Sequence, residues 1–144
     1  MNAPIVNDAF QFVKCLYRKY LPAGFRSLQL DQGMELKNLC TSRGLRKGLT
    51  DEEMEILALA ALLHNTGSIE GVFDDPAVSQ TIAERFLRER NYPDTVISQV
   101  LSCIAATHLD STPQTSLGRF IQSVKFSKIG SYPKKQGEVG DLWP

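Results

Sequence analysis

The feature of this sequence that most constrains its fold is an apolar run that ends abruptly in polar side chains. Residues 57–67 read LALAALLHNTG, and every side chain from Ile56 to Leu63 is apolar. A helix that is apolar all round has to be buried on several sides, as the central helix of a bundle is. The run ends at His64 and Asn65, with a turn at Gly67. The sequence predicts a central helix whose polar end is either an ordinary terminus or part of a site.

Length and charge narrow the class of protein. A chain of 144 residues is long enough for one domain with a real core. Sixteen basic residues balance sixteen acidic ones, which gives no electrostatic basis for binding nucleic acid or an anionic membrane. No apolar run approaches the roughly 20 residues that cross a bilayer, and the amino terminus does not resemble a secretory signal. We expect neither a nucleic-acid partner nor a membrane.

The cysteines indicate the compartment. Cys15, Cys40 and Cys103 are widely spaced, odd in number and form no CxxC pair. A structural zinc site therefore has no basis in the spacing, and each thiol lies in an apolar stretch where it acts as a small hydrophobe. We expect free thiols and a reducing, cytoplasmic location.

The rest of the chain predicts an all-α fold with a single compact helical domain. Apolar side chains recur at spacings of three and four, and no alternating β-branched run occurs. Thr50 and Glu53 form a capping-box pattern, and Asp75 followed by Pro76 is typical of a helix start. The domain spans residues 1–130, before an irregular tail, residues 131–144. The six predicted helices cover residues 6–20, 28–42, 50–64, 75–90, 93–107 and 116–129.

The apolar run resembles the signature of the HD superfamily of metal-dependent phosphohydrolases, in which an apolar helix ends in His-Asp and a small turn. Residues 78–108, with VSQTIAERFL, NYP and VLSCIAATH, are similar to the two helices that follow the signature in the smaller HD domains. Residues 115–130, TSLGRFIQSVKFSKIG, are similar to their last core helix. The resemblance covers about residues 25–130 and implies an HD-like fold.

The resemblance also implies a metal site, and the chain departs from it at most positions. Active members use an early histidine, the His-Asp pair and a late aspartate, often with a further histidine before the fourth helix. These hold divalent cations that activate a water and neutralise phosphate charge. Here the early histidine matches Leu30, the paired aspartate is Asn65, and the further histidine is Asp75. The late aspartate falls in residues 122–125, QSVK, which contain no acid and end in Lys125.

These replacements remove the chemistry of a metal site. Leu30 offers no ligand, Asn65 offers a neutral oxygen, and Lys125 would repel a cation that needs anionic oxygens. We therefore expect no metal, no other cofactor and no catalysis. The chain is interpreted as a pseudo-phosphohydrolase in which His64 and Asn65 are the vestigial pair.

The leading functional hypothesis is a regulatory HD-like domain that acts by binding. Its partner is either another protein, including a second copy of this chain, or a phosphorylated small molecule in the former metal site. Lys125 would then replace the cation as a fixed charge for phosphate. A purely structural helical module whose tail docks through Trp143 is a further possibility. The candidate ligand-binding residues are His64, Asn65, Asp75, His108 and Lys125.

The alternative is a metal-dependent phosphohydrolase with an altered metal site. His64 and His108 end neighbouring predicted helices, and each continues the inward stripe of its helix. With Asp75 or its neighbour Asp74 they would supply two nitrogens and one oxygen, a set that suits zinc or another transition metal. His108 as an ordinary helix-terminal residue is the simpler interpretation.

Overall fold

The computed structural model describes residues 4–72 and 75–131, with side chains as far as Ser127. These residues form six α-helices and one short 3₁₀ helix, and no strand occurs among them, which confirms the predicted all-α fold. No helix in these ranges has the length and apolar character needed to cross a membrane. The helices are α1 (Pro4–Tyr20), α2 (Ala23–Lys47), α3 (Asp51–Leu63), α4 (Ala77–Glu89), α5 (Asp94–Ala106) and α6 (Ser116–Ser131), with the 3₁₀ helix Thr66–Glu70 between α3 and α4.

Helix α3 is the centre of the domain. Each side chain from Ile56 to Leu63 is no more than 1% exposed. The helix packs mainly against α2, α5 and α1, and more lightly against α4 and α6. A helix that is apolar on every face can be buried only if neighbours cover it on every side, and the prediction of a central helix is confirmed.

Both ends of α3 are closed by side chains. At its start the Glu53 amide donates to Thr50 Oγ1 over 3.1 Å, and the Thr50 amide donates to Glu53 Oε1 over 2.9 Å, so the predicted capping box is present. At its end the Thr66 hydroxyl donates to the Leu63 carbonyl over 2.8 Å. This bond satisfies one of the carbonyls that a helix terminus leaves unpaired.

Helix α2 is longer than its sequence predicted. It begins directly after Pro22, passes through Gly33 and ends where Gly48 adopts a left-handed conformation with φ 82°. Gly33 is buried, and a Cβ at this position would lie 3.3 Å from the carbonyl oxygen of Ala61 on α3. The glycine that lowers helix propensity therefore permits the close approach of α2 to α3, and tertiary packing overrides the local preference.

The segment between α3 and α4 also differs from prediction. Residues 65–74 are predicted as an irregular loop, but Thr66–Glu70 forms a 3₁₀ helix. The Gly67 amide donates to Ser79 Oγ over 2.8 Å, which ties this segment to α4. Helix α4 itself begins at Ala77, whose amide donates to Asp75 Oδ1 over 2.9 Å. Asp74, and the tail with Trp143, lie outside the described residues.

Two of the cysteines belong to the core and one does not. Cys40 and Cys103 are buried, and burial raises the pKa of each thiol to about 12. Cys15 is exposed, contrary to the interpretation of its sequence context as apolar. All three are free thiols.

The close approach of α2 to α3 predicts that Gly33→Val destabilises the domain. The branched side chain has to displace the α3 backbone near Ala61, which should lower the free energy of unfolding by about 1–3 kcal/mol. Urea denaturation followed by circular dichroism measures this change. The matched control is Gly24→Val in the first turn of the same helix, where an added Cβ meets nothing within 4 Å. Equal urea midpoints for the two variants would contradict the prediction.

Candidate functional site

An open cavity of about 780 Å³ lies at the carboxyl end of α3. Its wall is built from the start of α2, the end of α3, the start of α4, the turn after α5 and the middle of α6. Chain positions far apart in sequence meet here because all five segments converge on one end of the central helix. The structure brings together on this wall all the candidate ligand-binding residues: His64, Asn65, Asp75, His108 and Lys125.

His64 is held in one tautomer by the end of α3. Its Nδ1 lies 2.7 Å from the carbonyl oxygen of Ala61, and a carbonyl can only accept, so Nδ1 carries the ring proton. Nε2 therefore keeps its lone pair. Burial, followed by the nearby charge of Lys125, lowers the pKa of His64 to about 3. The ring is neutral across the physiological range of pH.

Asn65 connects three helices through one amide. Its Nδ2 donates to the Gln29 backbone carbonyl over 3.0 Å and to Gln29 Oε1 over 2.9 Å. Its Oδ1 accepts from the Tyr17 hydroxyl over 2.9 Å. Because a backbone carbonyl can only accept, the nitrogen must face Gln29, and the orientation of the amide is fixed. We call this set, Tyr17, Gln29 and Asn65, the amide bridge.

The sequence did not reveal two of the three members of the amide bridge. Tyr17 is counted among the apolar positions of α1, and it is indeed buried at 1% exposure. Burial raises the pKa of its hydroxyl, which keeps its proton for the bond to Asn65. A buried tyrosine needs such a partner, so a polar group near α1 could have been anticipated.

On α2 the residues that line the cavity differ from the position given by the resemblance. Leu30, the expected match to the early histidine, packs partly buried against the core. Gln29 lines the cavity instead, with Phe25 and Gln32. These positions are spaced i, i+4 and i+7, which places them on one helix face, and this spacing was the available signal.

Lys125 joins α6 to the end of α5. Its Nζ donates to the Thr107 carbonyl over 2.9 Å, where the α5 dipole favours a cation. Gln122, one turn earlier, donates to the carbonyls of His108 and Ser111 over 3.4 and 3.2 Å. Together they fix the turn after α5, and they hold the ammonium group of Lys125 at the cavity wall.

The other two candidates, His108 and Asp75, make fewer contacts that fix them in the cavity wall. His108 is half-buried, with Nδ1 3.5 Å from the Thr107 hydroxyl oxygen. Asp75 is exposed, and its Oδ1 accepts from the Ala77 amide. Asp110, also exposed, lines the same cavity and was not singled out from the sequence.

The groups on this wall do not fit the divalent cation that the HD resemblance implies. Within residues 4–72 and 75–131, no group of three His, Cys, Asp or Glu side chains is placed to hold a metal ion. His64, Asp75 and His108 line the cavity without forming such a group. Asn65 has its oxygen committed to Tyr17, and the charge of Lys125 opposes any cation near His64.

The amide bridge predicts that Asn65→Asp, which creates the His-Asp pair of the resembled family, weakens the fold. A carboxylate would lie about 3 Å from the Gln29 carbonyl oxygen, with no proton between two acceptors. The free energy of unfolding should fall by about 2 kcal/mol at neutral pH. Urea denaturation of the variant and of wild type measures it, and equal free energies of unfolding for the two proteins would contradict the prediction.

The loss of stability caused by Asn65→Asp should also depend on pH. Burial and the facing carbonyl raise the pKa of the introduced carboxyl above its unfolded value of about 3.9. The loss in free energy of unfolding relative to wild type therefore grows as pH rises from the unfolded pKa towards the higher folded pKa. It should be smaller near about pH 4.5 than near about pH 7.5. Asn65→Ala has no titrating group, so its deficit should stay constant between the two conditions and serves as the control.

No protein-family model matches the chain, and comparisons with curated proteins and with solved structures found no match either. The resemblance to the HD superfamily therefore stands on the sequence motifs given above.

Proposed function

We propose that this chain is a catalytically deficient HD-like domain that acts by binding a small phosphorylated ligand in the cavity at the end of α3, in a regulatory role. The observation that carries the proposal is the fixed ammonium group of Lys125 on the cavity wall. Lysine is a common phosphate ligand that acts as a point charge. It would supply here the positive charge that a metal supplies in active relatives of the resembled family.

The position of Lys125 supports this role. The side chain is half-buried, so its charge is screened less than a surface charge and its field reaches His64. The bond to Thr107 limits its rotamer freedom before any ligand arrives. A preorganised charge loses less entropy on binding than a mobile surface lysine would.

The size of the cavity favours a small molecule over a protein segment as the ligand. Its volume of about 780 Å³ lies in the range of about 300–1,000 Å³ that is usual for small-molecule sites. Phe25 and Phe126 provide apolar surface, and polar side chains that include His64, Asn65 and Lys125 line the same cavity. That mixture is typical of pockets that fix the orientation of a ligand.

The proposal predicts that Lys125→Met weakens binding of a phosphate monoester. Methionine keeps much of the apolar stem and removes the charge, so the dissociation constant for glycerol 3-phosphate should rise about tenfold or more. Isothermal titration calorimetry measures it, and circular dichroism verifies the fold. Arg119→Met, at an exposed position of the same helix, is the matched control and should bind as wild type does. Absence of binding to wild type, or equal binding by both variants, would refute the proposal.

The alternative function is a phosphohydrolase with an altered metal site, favoured by the lone pair of His64 Nε2 at a wall that also holds His108. Elemental mass spectrometry of protein purified without a histidine tag or chelator separates the two functions. The binding proposal predicts metal-free protein that stays so after incubation with Mn²⁺, Ni²⁺ and Zn²⁺. A transition metal near one per chain, lost in His64→Ala and His108→Ala, would favour the hydrolase.

A further inference from the structure

The fixed tautomer of His64 limits which ligands the cavity can hold. The ring proton on Nδ1 is committed to the Ala61 carbonyl over 2.7 Å. The remaining ring nitrogen, Nε2, can only accept a hydrogen bond. A ligand that meets His64 at Nε2 must therefore bring a donor, an O–H or an N–H.

A bare phosphate group does not meet this requirement. The oxygens of a fully ionised phosphate ester are acceptors, and they would face Nε2 lone pair to lone pair. Leaving both groups desolvated and unpaired costs free energy rather than gaining it. Phosphate can be held at Lys125, but it gains nothing at His64.

The carboxylates on the cavity wall also require hydrogen-bond donors from the ligand. Asp75 and Asp110 line the cavity, and ionised carboxylates also only accept. The cavity thus combines one ammonium group with several acceptors. A ligand complementary to it carries an anion together with hydrogen-bond donors.

We propose that the cavity selects a hydroxylated phosphate monoester, of the polyol phosphate or sugar phosphate class, whose phosphate lies at Lys125 and whose hydroxyl donates to His64 Nε2. A polyol carries hydroxyls at several distances from its phosphate, so one of them can reach the ring. This inference rests on the proposed function and specifies its ligand. His64 is then a specificity-determining residue, and Lys125 supplies the common attraction for any phosphate ester.

A matched pair of ligands tests the inference. Glycerol 3-phosphate and propyl phosphate share a phosphate and a three-carbon chain, but only the first carries hydroxyls. Calorimetric titration of wild type should give a preference of about tenfold or more for glycerol 3-phosphate. In His64→Leu the ratio of the two affinities should fall to about one. Equal affinities for wild type would overturn the inference and leave the proposed function standing, whereas binding of neither ligand overturns both.

A measurement on the unmodified chain covers the case in which His64→Leu fails to fold. The chain contains only two histidines, so their ring nitrogens can be followed in a long-range ¹H–¹⁵N spectrum and assigned with His108→Gln. The Nε2 resonance of His64 should move upfield on adding glycerol 3-phosphate, as accepting a hydrogen bond requires, and should stay in place with propyl phosphate. An unmoved Nε2 resonance at saturating glycerol 3-phosphate would overturn the inference.

Discussion

The complete burial of α3 is the constraint on which the rest of this structure depends. Eight consecutive apolar side chains leave the helix no solvent-facing side, so the other helices must surround it. The helix has to end somewhere, and its last carbonyls then need donors in a place that water reaches poorly. His64 and Thr66 supply them, at Ala61 and Leu63. The polar end of the buried helix and the cavity beside it are thus two consequences of one apolar run.

The amide bridge shows how helices can be joined at this place by neutral groups. A divalent cation would connect the helices through anionic ligands, and its removal would leave buried charges that repel one another. An amide carries both donors and acceptors, so Asn65 pairs with Tyr17 and Gln29 without any net charge. Burial raises the pKa of Tyr17, so none of the three side chains in the bridge is charged at neutral pH. The bridge also disfavours a carboxylate at position 65, because the Gln29 backbone carbonyl on α2 can only accept.

The fold was largely predictable from the sequence, because apolar spacing reports directly on which faces are buried. The capping box at Thr50 and the central position of α3 depend on short-range chemistry and came out correctly. The bounds of α2 did not: the predicted helix, residues 28–42, already contained Gly33, and α2 extends beyond it at both ends, over Ala23–Lys47. The five candidate residues do share one cavity, but Gln29 and Tyr17 were missed. Their roles are set by which atoms face Asn65 across helices, and a one-dimensional pattern does not contain that information.

Attracting a phosphate group and activating it for hydrolysis are two separate functions, and a single metal ion can perform both. A metal ion both attracts phosphate and withdraws electrons from it, whereas an ammonium group only attracts. In the proposed function Lys125 would attract an anion, but an ammonium group would not replace the metal that activates water in HD-type hydrolysis. His64, with its proton committed to Ala61 and its second protonation suppressed by burial and by Lys125, is also unsuited to give a proton to a leaving group. Under the proposed function such a cavity would hold a phosphate ester without cleaving it, which is the property that a sensor of such a ligand requires.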